Sequence, residues 1–185
     1  RHKLLHTSVS TLSWDGQALT VLDVGRIPHP ALTEAVCMAL LQAAEAPAPV
    51  IAHCRAVAEK ALCLADKAKA VGITPDREQL YAAALLHDIA RTGSDHAATG
   101  AAWLRTLGYP EVAELIARHH DLEAGTLDGA ALLYLADKYI QGDREVTVDE
   151  RFAASRRRCT TDEALKSHEH RYETAKKIEE MLNRS

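Results

Sequence analysis

The chain contains 185 residues with a net charge of −4, and 47% of them are hydrophobic, which suits one globular domain and excludes a disordered chain. Because it has neither a clustered basic face nor an apolar stretch long enough for a membrane span, no nucleic acid and no membrane are expected as partners. The four cysteines have no Cys-x-x-Cys spacing and no signal peptide is visible, so we expect reduced thiols and a cytoplasmic protein.

The N-terminal segment is predicted to form a β-hairpin. Runs of β-prone residues at 8–14 and 19–24 flank Asp15-Gly16, a dipeptide typical of tight hairpin turns. We interpret residues 1–27 as this hairpin segment and residues 28–185 as the main domain. Since the chain begins at Arg1 rather than Met, the segment is expected to be the end of a preceding domain.

From residue 28 onward the sequence predicts helices. Apolar residues recur at helical spacing, and proline, glycine and capping residues mark the ends. The predicted helices span residues 31–46, 50–71, 75–91, 95–107, 110–119 and 128–140, followed by a long C-terminal helix. Thr74 is the predicted N-cap of the third helix, and a capping box at Thr160–Glu163 is predicted to begin the last one. The fold class is therefore all-α, a helical bundle with a small β-hairpin appendage.

His87 and Asp88 directly follow the apolar run at residues 81–86, at the end of a helix that is predicted to be buried. A buried carboxylate is normally paired or bound to metal, because removing it from water is costly. Arg91 is the only cation within one helical turn of Asp88. An imidazole beside a carboxylate is a good ligand pair for a hard metal ion, and the carboxylate can bridge two ions.

Four further residues with metal-binding side chains lie in or beside apolar helical stretches: His53, His96, His119 and Asp137. A lone histidine in such a position is more often an ordinary core residue. Six candidate ligands, however, exceed the needs of one tetrahedral zinc ion and fit two ions bridged by Asp88. The mixed nitrogen and oxygen set suits Fe, Mn or Zn, or Mg with fewer imidazoles.

Residues next to these candidates are predicted to play other roles. His120 is ranked below His119 as a ligand and is assigned to the pocket wall or to proton donation. Lys138 follows Asp137 in sequence but is expected to face about 100° away around the helix. His168 and His170 are expected to be solvated, as are the histidines of the N-terminal stretch, His2, His6 and His29. The basic run at residues 156–158 is interpreted as a solvated face, with contact to a phosphate tail as the alternative.

His53, His87-Asp88 and Asp137 together resemble the motif of the HD superfamily of metal-dependent phosphohydrolases. The matching segments are residues 53–58, 85–91 and 134–138, and the resemblance covers roughly residues 48–180. His96 and His119 resemble the additional ligands of the dinuclear branch, which includes the bacterial symmetrical diadenosine tetraphosphatases with their di-iron centre. The chain differs from those enzymes at residues 119–121, where they carry a His-Thr pair followed closely by glycine. Residues 135–144 look more like HD domains fused behind nucleotidyltransferase or phosphatase-like modules.

The resemblance implies hydrolysis of a phosphoester or phosphoanhydride in a small phosphorylated substrate, with a nucleotide as the first expectation. Two metal ions would make hydroxide available for attack, with Asp88 between them. Arg91 would stabilise charge on the phosphate, and His120 or Asp121 would protonate the leaving group. Two alternatives stay open, an HD-fold di-iron oxygenase and a non-catalytic HD-like signalling module. The sequence does not determine the oligomeric state, and the apolar helix at residues 31–46 is compatible with a homodimer.

Overall fold

A computed structural model describes residues 9–26, 30–91, 95–123 and 125–184. The chain divides into two compact units, residues 1–31 and residues 32–185. The predicted fold class, an all-α domain with a small N-terminal β-hairpin, is confirmed. In the described part of the chain, no helix is both long and apolar enough to cross a membrane. The expectations for His2, His6 and His29 lie outside the described residues.

The N-terminal unit contains two antiparallel strands, β1 (Val9–Trp14) and β2 (Leu19–Arg26). They meet at the turn that the sequence predicts. The Asp15 carboxylate accepts the backbone N–H groups of Gln17 and Ala18 at 2.9 and 2.8 Å. Gly16 has a φ of +99°, a conformation that favours glycine. The turn therefore forms from local chemistry alone.

The second unit contains eight helices among its described residues, and a short hairpin lies between the sixth and seventh helices. The helices are α1 (Glu34–Ala43), α2 (Ala48–Ala70), α3 (Arg77–Leu86), α4 (His96–Thr106), α5 (Pro110–Ala117), α6 (Gly129–Lys138), α7 (Val148–Arg156) and α8 (Asp162–Leu182). The hairpin pairs β3 (Ile140–Gln141) with β4 (Arg144–Glu145). The prediction that the sixth helix reaches Ile140 is therefore wrong. The chain turns back at Gly142, whose φ of +65° helix-forming residues rarely adopt.

Two predicted helix starts are also wrong. Asp76, not Thr74, caps α3, because its carboxylate accepts the backbone N–H of Gln79 at 3.0 Å. Thr161, not a capping box at Thr160, begins α8. A true capping box begins α7, a helix that the sequence analysis did not delineate, between Thr147 and Glu150. Thr and Asp are both favourable caps, so packing decides which one is used.

The prolines act differently from the prediction at the start of α2. Pro49 does not precede this helix but lies in its first turn, where a backbone N–H has no helical partner and proline costs little. The helix therefore begins at Ala48. The first helix is shorter than the predicted span 31–46, with Thr33 as its N-cap and Ala44 as its C-cap.

The core of the second unit is formed around α2, α3 and α6. Nine of the ten residues of α6 are buried, from Ala130 to Lys138, and so are the last five residues of α3. At Gly100 of α4 an added Cβ would lie only 3.1 Å from the Cγ2 atom of Ile89, so glycine lets α4 approach closely. The polar residues at the ends of α3 and α6 are thus held inside the protein rather than at its surface.

Candidate metal centre

Three buried histidines are each held by a hydrogen bond between the ring atom Nδ1 and a backbone carbonyl oxygen. The Nδ1 atoms of His53, His87 and His119 lie 2.7, 2.8 and 2.7 Å from the backbone carbonyl oxygens of residues 142, 84 and 116. A carbonyl oxygen only accepts, so Nδ1 carries the proton in each ring. Neutral rings of this tautomer present the Nε2 lone pair, which is the arrangement of metal-binding histidines whose other nitrogen is held by a hydrogen bond.

The Nε2 atoms of His87 and His119 are buried and have no hydrogen-bond partner among the described residues. Buried polar atoms are almost always satisfied, so such an orphaned pair requires an explanation. His87, His119 and Asp88 each offer a ligand atom within 4.8 Å of those of the other two, and the Nε2 atom of His87 is 3.4 Å from Asp88 Oδ2. Two buried ring nitrogens without a partner, beside a carboxylate oxygen, are chemically suited to a divalent cation. The residues present therefore fit a metal site.

Asp88 lies between two groups of histidines. Its Oδ2 atom is 3.4 Å from the Nε2 atom of His87 and 3.8 Å from that of His53, while its Oδ1 atom is 3.1 Å from the Nε2 atom of His96. The side chain is only 1% exposed, and Arg91 also contacts Oδ2. The two oxygens of one carboxylate thus face different imidazoles, which is the geometry of a bridging ligand.

The candidate ligand atoms form three overlapping groups, in each of which all atoms lie within 4.8 Å of one another. The groups are His53, His87 and Asp137; His87, Asp88 and His119; and His96, His119 and His120. All six predicted ligands are therefore brought together by the structure. Their assignment as ligands stays a prediction.

His120 also belongs to this arrangement, which the sequence analysis did not expect. It lies beyond the end of α5, and its Nε2 atom is 2.6 Å from the Nε2 atom of His96. Two ring nitrogens at this distance repel unless a proton or a cation lies between them. No sequence signal indicated this contact, because His96 and His120 are 24 residues apart and the predicted helix ended at His119.

Asp137 is held by a lysine that the sequence analysis placed elsewhere. The Nζ atom of Lys138 lies 2.7 Å from Asp137 Oδ2, and both side chains are less than 10% exposed. The prediction that Lys138 faces away is wrong, since its long side chain bends back within the core. The other oxygen, Oδ1, lies 3.1 Å from the Nε2 atom of His53.

The carboxylates are ionised in this environment. Burial alone would raise the pKa of Asp137, but Lys138 and His53 hold it well below its usual range. Burial opposes ionisation of Asp88 in the same way, and His87 and Arg91 hold its pKa far below the ordinary value. Both groups therefore have the charge that a divalent ion needs.

Three of the histidines are neutral near pH 7. Burial, assisted by nearby His87, lowers the pKa of His119 well below its ordinary value, and burial also lowers the pKa of His96. Burial together with Lys138 lowers the pKa of His120 to about 4. His87 is the exception: burial would lower its pKa, but Cys54 and Asp88 raise it well above the ordinary value. A cation bound beside Asp88 would displace that proton.

A cavity of about 540 Å³ adjoins this centre. Its wall includes Asp88, Asp137 and His120, and also Arg91 and Lys138. His168 lines the cavity as well. Because it is half-buried and its Nδ1 atom is buried, the prediction that this residue is solvated is wrong, whereas His170 is exposed, as expected. His168 lies under α7, where its Nε2 atom is 2.9 Å from the Ser155 hydroxyl oxygen.

Comparison with known proteins gives the family. Residues 50–142, half of the chain, match the model of the HD domain. The chain belongs to the HD domain family. It is also similar to an uncharacterized protein of Methanocaldococcus jannaschii, with 35% identity over 133 residues that cover 66% of this chain and 76% of that protein. No solved structure matches the chain.

Membership of the HD family has general chemical consequences. HD domains bind divalent metals and are typically metal-dependent hydrolases, so the family indicates metal-dependent phosphohydrolase activity in general terms. The matched residues include all six predicted ligands, which lie on α2, α4 and α6, directly after α3 and after α5. Five of them are buried, and His96 is half-buried. The matched residues end before α7 and α8, which supply the rest of the cavity wall.

Proposed function

We propose that this protein hydrolyses a phosphoester or phosphoanhydride bond of a small phosphorylated substrate, with nucleotides as the first class to test, at a centre of two divalent ions. The observation that carries the proposal is the position of Asp88, whose two oxygens face different groups of histidines. A single ion would leave one of these groups without a function. Fe, Mn and Zn all suit a set that combines imidazole and carboxylate, and Fe is the first choice because the ligands resemble those of the di-iron branch.

The ligands divide naturally between two positions. His53, His87 and Asp137 would hold one ion, and His96, His119 and His120 the other, with Asp88 shared. When bound, divalent ions at these positions would supply a water of lowered pKa and neutralise charge on a phosphate. We assign His120 to the second position rather than to proton donation. A pKa of about 4 leaves it without a proton to donate near neutral pH.

Arg91 and Lys138 provide the electrostatic setting for a phosphate. The Arg91 side chain is half exposed in the cavity and uses one guanidinium nitrogen for Asp88, so its other N–H groups are available to phosphate oxygens. Lys138 fixes the orientation of Asp137 and adds positive charge to the same wall. Donors held in place before the reaction stabilise the charge that develops on a phosphate in the transition state.

The alternatives receive less support. A di-iron oxygenase would use a similar ligand set, but the cationic cavity wall favours a phosphorylated substrate. A non-catalytic signalling module has no need for a complete set of converging ligands. Diadenosine tetraphosphate, the substrate of the branch that the sequence resembles, belongs among the first compounds to test.

The test is phosphate or nucleotide release from nucleoside mono-, di- and triphosphates, cyclic dinucleotides and diadenosine tetraphosphate, with protein loaded anaerobically with Fe or with Mn. Asp88→Asn should lower turnover by at least about a hundredfold, since it removes a shared ligand charge. Asp143→Asn, at an exposed turn, is the matched control and should keep full activity. The proposal is wrong if protein shown to hold two ions releases nothing from any compound, and oxygen consumption by its reduced form would point to the oxygenase.

A further inference from the structure

The cavity beside the metal centre has a second wall that the family match does not include. Residues of α7 and α8, and of the segment between them, line it: Arg151, Ser155, Arg158, Ser167, His168 and Arg171. The volume of about 540 Å³ lies in the range of small-molecule sites and exceeds what one phosphate group requires. A substrate that fills it must therefore meet this wall as well as the metal ligands.

The cations of the cavity fall into two kinds. Arg91, Lys138 and Arg171 each contact a carboxylate; for Arg171 this is Asp121, whose Oδ1 atom is 2.8 Å from the Nη2 atom. Arg151 and Arg158 differ, because no carboxylate of the described residues lies within 4.0 Å of either guanidinium group. Two positive charges in one cavity wall thus lack a counter-ion in the part of the chain that the structure describes.

Arg151 is also incompletely hydrogen-bonded. It is half-buried, and its Nε atom is buried without a partner among the described residues. The same holds for the Nδ1 atom of nearby His168, whose other ring nitrogen contacts Ser155 and the carbonyl oxygen of Phe152. Guanidinium groups bind phosphate through paired N–H donors, so an anion in this part of the cavity would supply the counter-ion that Arg151 lacks among the described residues.

We propose that Arg151 and Arg158 bind a second phosphate group of the substrate, separate from the one that is hydrolysed. The inference rests on the proposed function and narrows its substrate class. Both walls of the cavity can be contacted by a compound with two or more phosphates, such as a nucleoside di- or triphosphate or a dinucleoside polyphosphate. A phosphate monoester of an uncharged alcohol can bind only at the metal centre. The basic run at residues 156–158 thus supplies one residue, Arg158, to the site.

The chain offers a closely matched pair of variants to test this. Arg158→Gln removes an exposed cation that lines the cavity, and Arg157→Gln removes its exposed neighbour, which does not. Inorganic tripolyphosphate and orthophosphate are titrated into the full chain in EDTA at fixed ionic strength, so that metal binding by the probe plays no part. Tripolyphosphate should bind more tightly than orthophosphate. Arg158→Gln should raise the dissociation constant for tripolyphosphate about tenfold, the effect of one charge-assisted contact. Arg157→Gln should change that constant by no more than about twofold.

The same variants separate the two proposals. If tripolyphosphate binds no tighter than orthophosphate, or if both variants weaken it equally, the arginine subsite is refuted even when the protein hydrolyses phosphate esters. If tripolyphosphate binds through Arg158 but no compound is hydrolysed with any metal, the subsite stands and the proposed hydrolysis fails. With an active protein, Arg158→Gln should lower kcat/KM for a nucleoside triphosphate about tenfold and leave that for the monophosphate unchanged.

Discussion

Asp137→Asn is the substitution whose effect on stability follows most directly from the structure. The carboxylate contacts Lys138 through Oδ2 at 2.7 Å and His53 through Oδ1 at 3.1 Å. Asparagine keeps the shape and one acceptor oxygen but removes the charge. In metal-free protein the main consequence is a buried ammonium group without its counter-ion.

The expected loss can be bounded from these contacts. Removing one member of a buried ion pair typically costs about 3–5 kcal/mol, because the other charge stays buried. The Lys138 ammonium group also lies 4.6 Å from the centre of the Tyr134 ring, a cation–π contact that the substitution leaves in place. We therefore expect the free energy of unfolding to fall by about 3 kcal/mol, near the lower end of that range.

Urea denaturation in EDTA measures this loss. Asp66→Asn is the matched control, since Asp66 pairs with Lys69 and Arg77 at the surface and its loss should cost far less. The double variant Asp137→Asn/Lys138→Met should recover part of the loss by removing the unpaired cation. Equal losses from Asp137→Asn and Asp66→Asn, or a double variant no more stable than the single one, would refute the reasoning.

Three further predictions concern the metal, the pH dependence and a helix cap. A free Fe or Mn concentration of about a hundred times the dissociation constant should raise the free energy of unfolding by about 2.7 kcal/mol per site. Elemental analysis of His119→Ala should find one bound metal ion instead of two. In EDTA, the free energy of unfolding should fall as the pH decreases from about 6.5. The pKa values of His119 and His120 are lower in the folded than in the unfolded protein. The unfolded protein therefore binds more protons in this pH range and is favoured as the pH decreases. For His120 this loss continues to about pH 4, so His120→Gln should flatten the curve from urea titrations at several pH values; an unchanged curve would contradict the role of burial. Asp128→Ala should lower the free energy of unfolding, measured by urea denaturation, by about 1 kcal/mol, since it removes the N-cap of α6. An unchanged free energy would mean that packing alone stabilises this helix.

Local structure was predictable where one conformation has a clear chemical preference. Asp15-Gly16 forms the expected turn, because its hydrogen bonds and positive φ need no distant residue. The helix predicted to begin at residue 128 is capped by Asp128, which accepts the backbone N–H of Ala131. The start of α3 was misplaced because Thr74 and Asp76 are both good caps, and only the packing of the helix decides between them.

The candidate ligands were predictable as a set, but their relations to one another were not. Each of the six residues could be chosen from its neighbours in sequence, because a carboxylate or imidazole in an apolar helix is costly without a partner. The position of His120 against His96, 24 residues away, had no sequence signal. The contact between the Lys138 ammonium group and Asp137 had no sequence signal either. Helical spacing predicts where a side chain leaves the backbone, but not where the end of a long side chain lies.

The sequence by itself determined the helical class, the hairpin turn and the residues whose burial demands compensation, since these depend on local periodicity and on the cost of desolvating charge. Only the tertiary structure decided that the two oxygens of Asp88 face different histidines and that Arg151 and Arg158 share a cavity with them. These relations join α3 to α4 and to the far end of the chain. Packing of the whole domain sets such distances, and no pattern in a single segment contains them.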